Sequence, residues 1–372
     1  MNNSRIAETI SQRNYGIDLL RLIAAFYVVV LHTLGIGGII GATTPHTYQN
    51  YICRLLIIFT FSAVNIFGII SGYVGYRESE KKSSSFGYLS LWLTVVFYCV
   101  LYTVIFHCFQ PGVITWTDLA FSCFPVTNNL YWYFSAYTLV YFLSPFLNKA
   151  IRYSSDKELK HIFCLICFIL VFIEYVGQSF NMGNGYTAIW LLLLYFIGGI
   201  MKKTGIGSSI PSYVAFLGIC FINFGLFYLG LEENSRIFFI FFINLDYDHS
   251  YISPFFLTTA ILHVIIFSRL RVCKPFQKII RFAAPAAFSI YIVNTNKTMW
   301  QHFMYGDYMQ GILTSWAHSS PFGIIARVMC FSFVFVIAVV VIDFFRQRLF
   351  HLLNIPSWPQ KLSGLLQKDK TV

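Results

Sequence analysis

Ten apolar stretches dominate this chain, most of them about 20 residues long, the length an α-helix needs to cross a hydrocarbon core of about 30 Å. They run over residues 15–37, 50–76, 86–108, 130–150, 159–178, 186–201, 211–230, 251–268, 282–303 and 322–344. Of the 372 residues, 57% are hydrophobic and only 11% are charged, too little polar surface for a soluble body of this size to cover itself. Inside a bilayer every backbone polar group needs an internal partner, which helices of this length provide. The fold class that follows is all-α, a polytopic integral membrane protein of about ten transmembrane helices.

The formal charge of +11 would suggest a nucleic-acid partner if it were clustered, but its distribution excludes that class. Of the 26 Lys and Arg residues, 21 fall before span one, after every even-numbered span, or in the tail; the opposite loops hold only Arg236 among six acidic residues. By the positive-inside rule both termini lie in the cytoplasm. No cleavable signal peptide is evident, because the first dozen residues are polar and the first apolar run lacks a small-residue cleavage site. The expected organisation is a cytoplasmic segment (1–14), a ten-helix membrane domain (15–345) and a basic cytoplasmic tail (346–372). Among nine cysteines, Cys108 and Cys123 flank an outer loop and can pair, while Cys164-x-x-Cys167 sits in an apolar run where a redox or metal role is disfavoured. No spacing suits a metal ion.

The first span carries the chemistry. It contains Asp18, Arg21 and His32, and at about 100° per residue all three point the same way, Arg21 and His32 being about 16 Å apart along the axis. Ionisable groups in hydrocarbon need partners, water or a substrate. The bland alternatives are an Asp18–Arg21 pair snorkelling to the inner interface and a His32 at the outer one. Likewise Ser71 and Gly72 read either as a site or as a close helix contact, and Trp132 and Tyr133 as a site or an interfacial belt. Arg54 and Lys297 are further functional-site candidates; Glu174 and Arg327 are expected to pair helices, and Asp343 to pair with Arg346.

These segments resemble the membrane acyltransferase 3 family. Gly16-Ile17-Asp18-Leu19-Leu20-Arg21 with Val28 to His32 is similar to its opening motif. Asn65 to Tyr73, Tyr131 to Phe134 with Tyr141 and Pro145, Tyr195 to Gly199, Ser253-Pro254 and Phe288 to Ile292 follow in the family's order. The resemblance implies a ten-helix bacterial inner-membrane enzyme with no bound cofactor. It would move an acyl group, commonly acetyl, from cytoplasmic acyl-CoA to a hydroxyl of a glycan, lipid-linked glycan or other envelope acceptor. On that reading His32 is the general base, Arg21 contacts the donor and Asp18 holds Arg21, while Ser71, Tyr73, Trp132, Arg54 and Asn294 are candidates for donor or acceptor binding. One departure stands out: relatives usually carry a His where this chain has Asn294, and Asn cannot exchange a proton near neutral pH. His302 is the next imidazole along. The competing classes are a polysaccharide flippase or polymerase, which would show Arg or His in large outer loops, and a secondary transporter, which would show inverted repeats.

Overall fold

The computed structural model describes residues 13–78, 87–109, 115–231, 250–301, 307–355 and 358. Those residues are helical, with no strand among them. In chain order the helices are α1 (Tyr15–Leu34), α2 (Ile39–Ala42), α3 (Tyr48–Thr60), α4 (Ala63–Gly75), α5 (Gly87–Phe109), α6 (Trp116–Ser122), α7 (Trp132–Tyr153), α8 (Asp156–Cys164) and α9 (Val171–Gly177). There follow α10 (Ala188–Thr204), α11 (Ser212–Leu231), α12 (Pro254–Ser268), α13 (Lys274–Ala283), α14 (Ala287–Asn294), α15 (Lys297–Met299), α16 (Asp307–Ser315) and α17 (Pro321–Leu352). Among the described residues seven helices, counting joined segments once, are long and apolar enough to cross a membrane. The other three expected spans coincide with α7, α10 and α12; the last two are only 17 and 15 residues long.

α1 is the central element and packs against α3, α4, α12, α13, α14 and α17. It starts where Asn14 caps it, Oδ1 accepting from Ile17 N at 3.1 Å while Nδ2 donates to Ser268 O at 2.8 Å. It ends at Gly35, before the left-handed turn at Gly38. Its buried positions, Ile17, Leu20, Ala24, Ala25, Val28 and Val29, face the neighbouring helices. Next to it, α4 and α10 lie almost backbone to backbone. A Cβ on Gly72 would come within 1.8 Å of Tyr195 O, and one on Gly198 within 2.0 Å of Ile69 O. Small residues at such a crossing admit the close approach that dispersion requires where lipid offers no hydrophobic drive.

Several expected spans are interrupted. Span two bends at Phe61–Ser62, between α3 and α4. Span five contains a π-helical stretch, Leu165–Leu170. Span nine stops at Asn294: Asn296 accepts from Met299 N at 3.1 Å and starts a separate short helix. Span ten is longer than expected, because α17 continues through Arg346 to Leu352 and takes in the first residues assigned to the tail. The loop at 232–249, residues 302–306 with His302, and the tail beyond 358 lie outside the described residues.

The basic residues tie together one end of the bundle. Arg281 Nη2 donates to Tyr15 Oη at 2.7 Å, Arg269 Nη1 to Ile210 O at 2.8 Å, Lys203 Nζ to Ile151 O at 2.8 Å, and Arg152 Nη2 to Arg77 O at 3.2 Å. Near this end Asp343 and Arg346 pair at 2.6 Å, as expected, and both are buried. Tyr98 and Ser289 also donate to the Asp343 carboxylate, at 2.8 and 2.6 Å, so the pair clasps α5, α14 and α17. Other ionisable groups behave differently from expectation. Glu174 links no helices; its two oxygens accept from Phe180 N and Met182 N, each at 2.6 Å, closing the turn that follows its own helix. Arg327 donates to Ser319 Oγ at 2.6 Å, just before its own helix. Cys108 and Cys123 are not joined, and all nine cysteines are free thiols.

Two stability predictions follow from the packing. Gly72→Ala forces α4 and α10 apart and is expected to cost about 1–3 kcal/mol or more, read as a lower melting temperature of the purified protein in detergent. Asp343→Ala leaves Arg346 buried without its counter-charge and is expected to cost about 3–5 kcal/mol, with most of the protein lost from the monodisperse peak.

Candidate active site

A cavity of about 720 Å³ opens between α1, α4, α7 and α14. Arg21 and His32 both line it, so the charged face of α1 is its wall. Asp18 lies one turn below, 9% exposed, and bridges two cations: Arg13 Nε at 2.5 Å and Arg21 Nη1 at 3.2 Å. The carboxylate therefore fixes the root of Arg21 and leaves other guanidinium hydrogens for the cavity. The rise between Arg21 and His32, about 16 Å over eleven residues, makes them opposite ends of one passage and not a single catalytic pair.

At the far end His32 is held on two sides. Its Nδ1 lies 2.5 Å from Asn294 Oδ1, and its ring meets Trp300 edge-on, with centroids 5.0 Å apart at 78°. Trp300 Nε1 in turn donates to the Asn294 carbonyl. An amide oxygen only accepts, so in this orientation His32 carries its proton on Nδ1 and keeps a lone pair on Nε2 for the substrate. Asn294 thus touches the imidazole without lining the cavity, and its buried Nδ2 has no hydrogen-bond partner among the described residues. The break after α14 is pinned nearby: Asn296 Nδ2 donates to Tyr131 Oη at 2.8 Å. Lys297, just past the break, lines the same cavity.

The middle of the passage is aromatic. Tyr133, Tyr137 and Tyr141 recur every four residues along α7, form one stripe and all line the cavity. Tyr133 and Tyr137 stack with centroids 6.2 Å apart. Ser71 also lines the cavity and donates to Phe67 O at 2.8 Å. Trp132 stacks on Tyr251 with centroids 6.2 Å apart. Tyr251 is fastened through its backbone, its carbonyl accepting from Asn65 Nδ2 at 2.8 Å.

Of the candidate residues read from the sequence, Arg21, His32, Ser71 and Trp132 meet on one cavity, with Asp18 and Asn294 directly behind it. Tyr73 and Arg54 are elsewhere. Tyr73 turns its ring under the Lys202 ammonium, 4.9 Å from the centroid, and Arg54 donates to Asn50 Oδ1 at 2.9 Å. Neither lines the cavity. Sequence reasoning passed over Tyr137, Tyr251 and Trp300. The four-residue tyrosine spacing on α7 was a visible signal for the first; nothing local marked the other two. No group of three His, Cys, Asp or Glu suited to a metal ion occurs among the described residues.

Comparison with known proteins agrees with this arrangement at the level of the family. No curated protein and no solved structure was matched, whereas the acyltransferase-domain family model is matched over residues 14–356, nearly the whole length. A helical, membrane-spanning chain with this cavity and that match belongs to the membrane acyltransferase 3 family and is a membrane acyltransferase.

Proposed function

We propose that the protein is an O-acyltransferase that moves an acyl group, acetyl by preference, from acyl-CoA to a hydroxyl of a cell-surface glycan or a related envelope acceptor. The observation that supports this best is His32 and Arg21 at opposite ends of one aromatic-walled passage. A hydroxyl is a poor nucleophile at neutral pH and needs a base as it attacks. His32 Nε2 takes the acceptor proton while the hydroxyl oxygen bonds to the thioester carbon. The carbon–sulfur bond then breaks, and the imidazolium returns its proton to the departing CoA sulfur. The positive-inside pattern supports a reading in which the Arg21 end and both termini face the cytoplasm, and the family's envelope acceptors support a bacterial inner membrane as its location. Acyl-CoA then enters past Arg21, a permanent cation suited to the phosphates or carbonyls of the donor. Lys297, at the His32 end, is the cation available to a charge developing on the carbonyl oxygen. The faces of Trp132, Tyr133 and Tyr251 offer apolar platforms for sugar rings, with Tyr hydroxyls and Ser71 to orient them.

The test is transfer of label from radiolabelled acetyl-CoA to glycan in inverted membrane vesicles. His32→Ala is expected to lower the rate by about 10²–10⁴-fold, and Arg21→Ala to raise KM for the donor, both at normal protein levels. Undiminished transfer without His32 would move the base elsewhere, and no transfer by wild type would leave a glycan-transport role. Asn294→Leu removes the acceptor that orients the ring. It is expected to cost about 1–3 kcal/mol, the penalty of an orphaned donor, read as a roughly 5- to 160-fold fall in kcat with little change in donor KM.

A further inference from the structure

Next to the large cavity lies a smaller one of about 270 Å³, and Pro285 lines both. The small cavity is bordered by Arg281 at the end of α13 and by Gln347, Arg348 and His351 in the last turns of α17. No carboxylate borders it among the described residues. The nearest acid in sequence, Asp343, is engaged by Arg346, Tyr98, Ser289 and Gln347. Two guanidinium groups are set in place there by aromatic rings. Arg281 is bonded to Tyr15 Oη at 2.7 Å, and Arg348 lies over Phe344, 5.0 Å from the ring centroid. Two guanidiniums and an imidazole on the wall of one small cavity, with no carboxylate bordering it among the described residues, have the chemistry of a phosphate site. The volume falls below the roughly 300–1,000 Å³ of sites that hold a whole drug-sized ligand, so it suits a phosphate group and not a nucleotide.

Distance decides which phosphate. His32 touches Asn294, and nine residues separate Asn294 from Pro285, about 14 Å of helix. The pantetheine arm of CoA has thirteen single bonds between its first phosphorus and its sulfur, on the order of 15 Å when extended. With the thioester at His32, the arm fills the passage and the pyrophosphate falls at the level of Arg21 and Pro285. What projects beyond Pro285 is the adenosine end with its 3′-phosphate. We infer that the Arg281–Arg348–His351 cavity receives the 3′-phosphate of the CoA donor, an assignment that rests on the acyl-CoA reading above.

The experiment is equilibrium binding, which needs no acceptor and no turnover. CoA and 3′-dephospho-CoA are titrated against wild type and the Arg281→Gln/Arg348→Gln variant in nanodiscs of phosphatidylcholine, with and without phosphatidylglycerol. Both arginines are exposed, but Arg281→Gln gives up the bond to Tyr15 Oη and Arg348→Gln the contact with Phe344; the single Arg348→Gln and a melting curve separate loss of the phosphate contact from loss of stability. Wild type is expected to bind CoA about 10- to 100-fold more tightly than dephospho-CoA, the worth of one charge-assisted contact. The variant is expected to bind both alike, at the wild-type affinity for dephospho-CoA, in either lipid. Equal binding of the two ligands by wild type, or discrimination surviving in the variant, would overturn the assignment. So would an effect of the substitutions that appears only with anionic lipid, which marks a headgroup site. If wild type binds neither form, the acyl-CoA reading itself fails.

Discussion

An ionisable side chain on a helix in hydrocarbon must be given a partner, and much of this structure is organised by how α1 meets that demand. Asp18 is satisfied by two arginines, Arg21 by Asp18 and the cavity, and His32 by Asn294 and Trp300. Each solution recruits something outside the turn of helix that carries the group. Arg13 is brought in from the segment before the helix, and Asn294 from a strand of chain 262 residues away. The central position of α1 is the consequence, since a helix with three such residues on one face is stable only where other helices supply the other half of each interaction.

The same economy applies around it. α10 packs against α4 through Gly72 and Gly198 at backbone contact, which leaves the neighbouring Ser71 on the cavity side. Because successive residues of a helix are turned by about 100°, Ser71 and Tyr73 lie some 200° apart and cannot share that face. The packing contact thereby dictates which side chain reaches the cavity: Ser71 lines it, and Tyr73 goes to Lys202. Of the adjacent pair, Gly72 makes the close helix contact and Ser71 lines the cavity.

This marks what the sequence could disclose. Periodicity was enough to place Asp18, Arg21 and His32 on one face, and it would have placed Tyr133, Tyr137 and Tyr141 on another, because both facts belong to single helices. The alternation of basic loops likewise anticipated that Arg77, Arg152, Lys203, Arg269 and Arg281 gather at one end. The partners were not legible. The Asn294–His32 contact and the Tyr251 carbonyl held by Asn65 join distant parts of the chain, and no local pattern encodes them. Helix interruptions were hidden for another reason. The break after Asn294 is made by the side chain of Asn296 capping a new turn, and the polar residues from Asn294 to Thr298 are equally compatible with a continuous span that lines a polar cavity.

That position 294 holds an Asn and not a second His bears on proton traffic in the proposed reaction. Among the described residues His32 is the one imidazole on the cavity wall. A second imidazole in contact with it could accept or relay a proton, whereas an amide only fixes the ring. In the proposed reaction the proton lifted from the acceptor hydroxyl accordingly has no imidazole to pass to, and it returns from the same ring to the leaving sulfur. Such a base has to stay put between its two tasks. A ring bonded at Nδ1, braced edge-on by an indole, and braced by an indole that itself grips the amide's own backbone is held for that purpose. In that proposed reaction Asn294, which cannot titrate, would keep the lone pair of His32 in a single direction throughout the transfer.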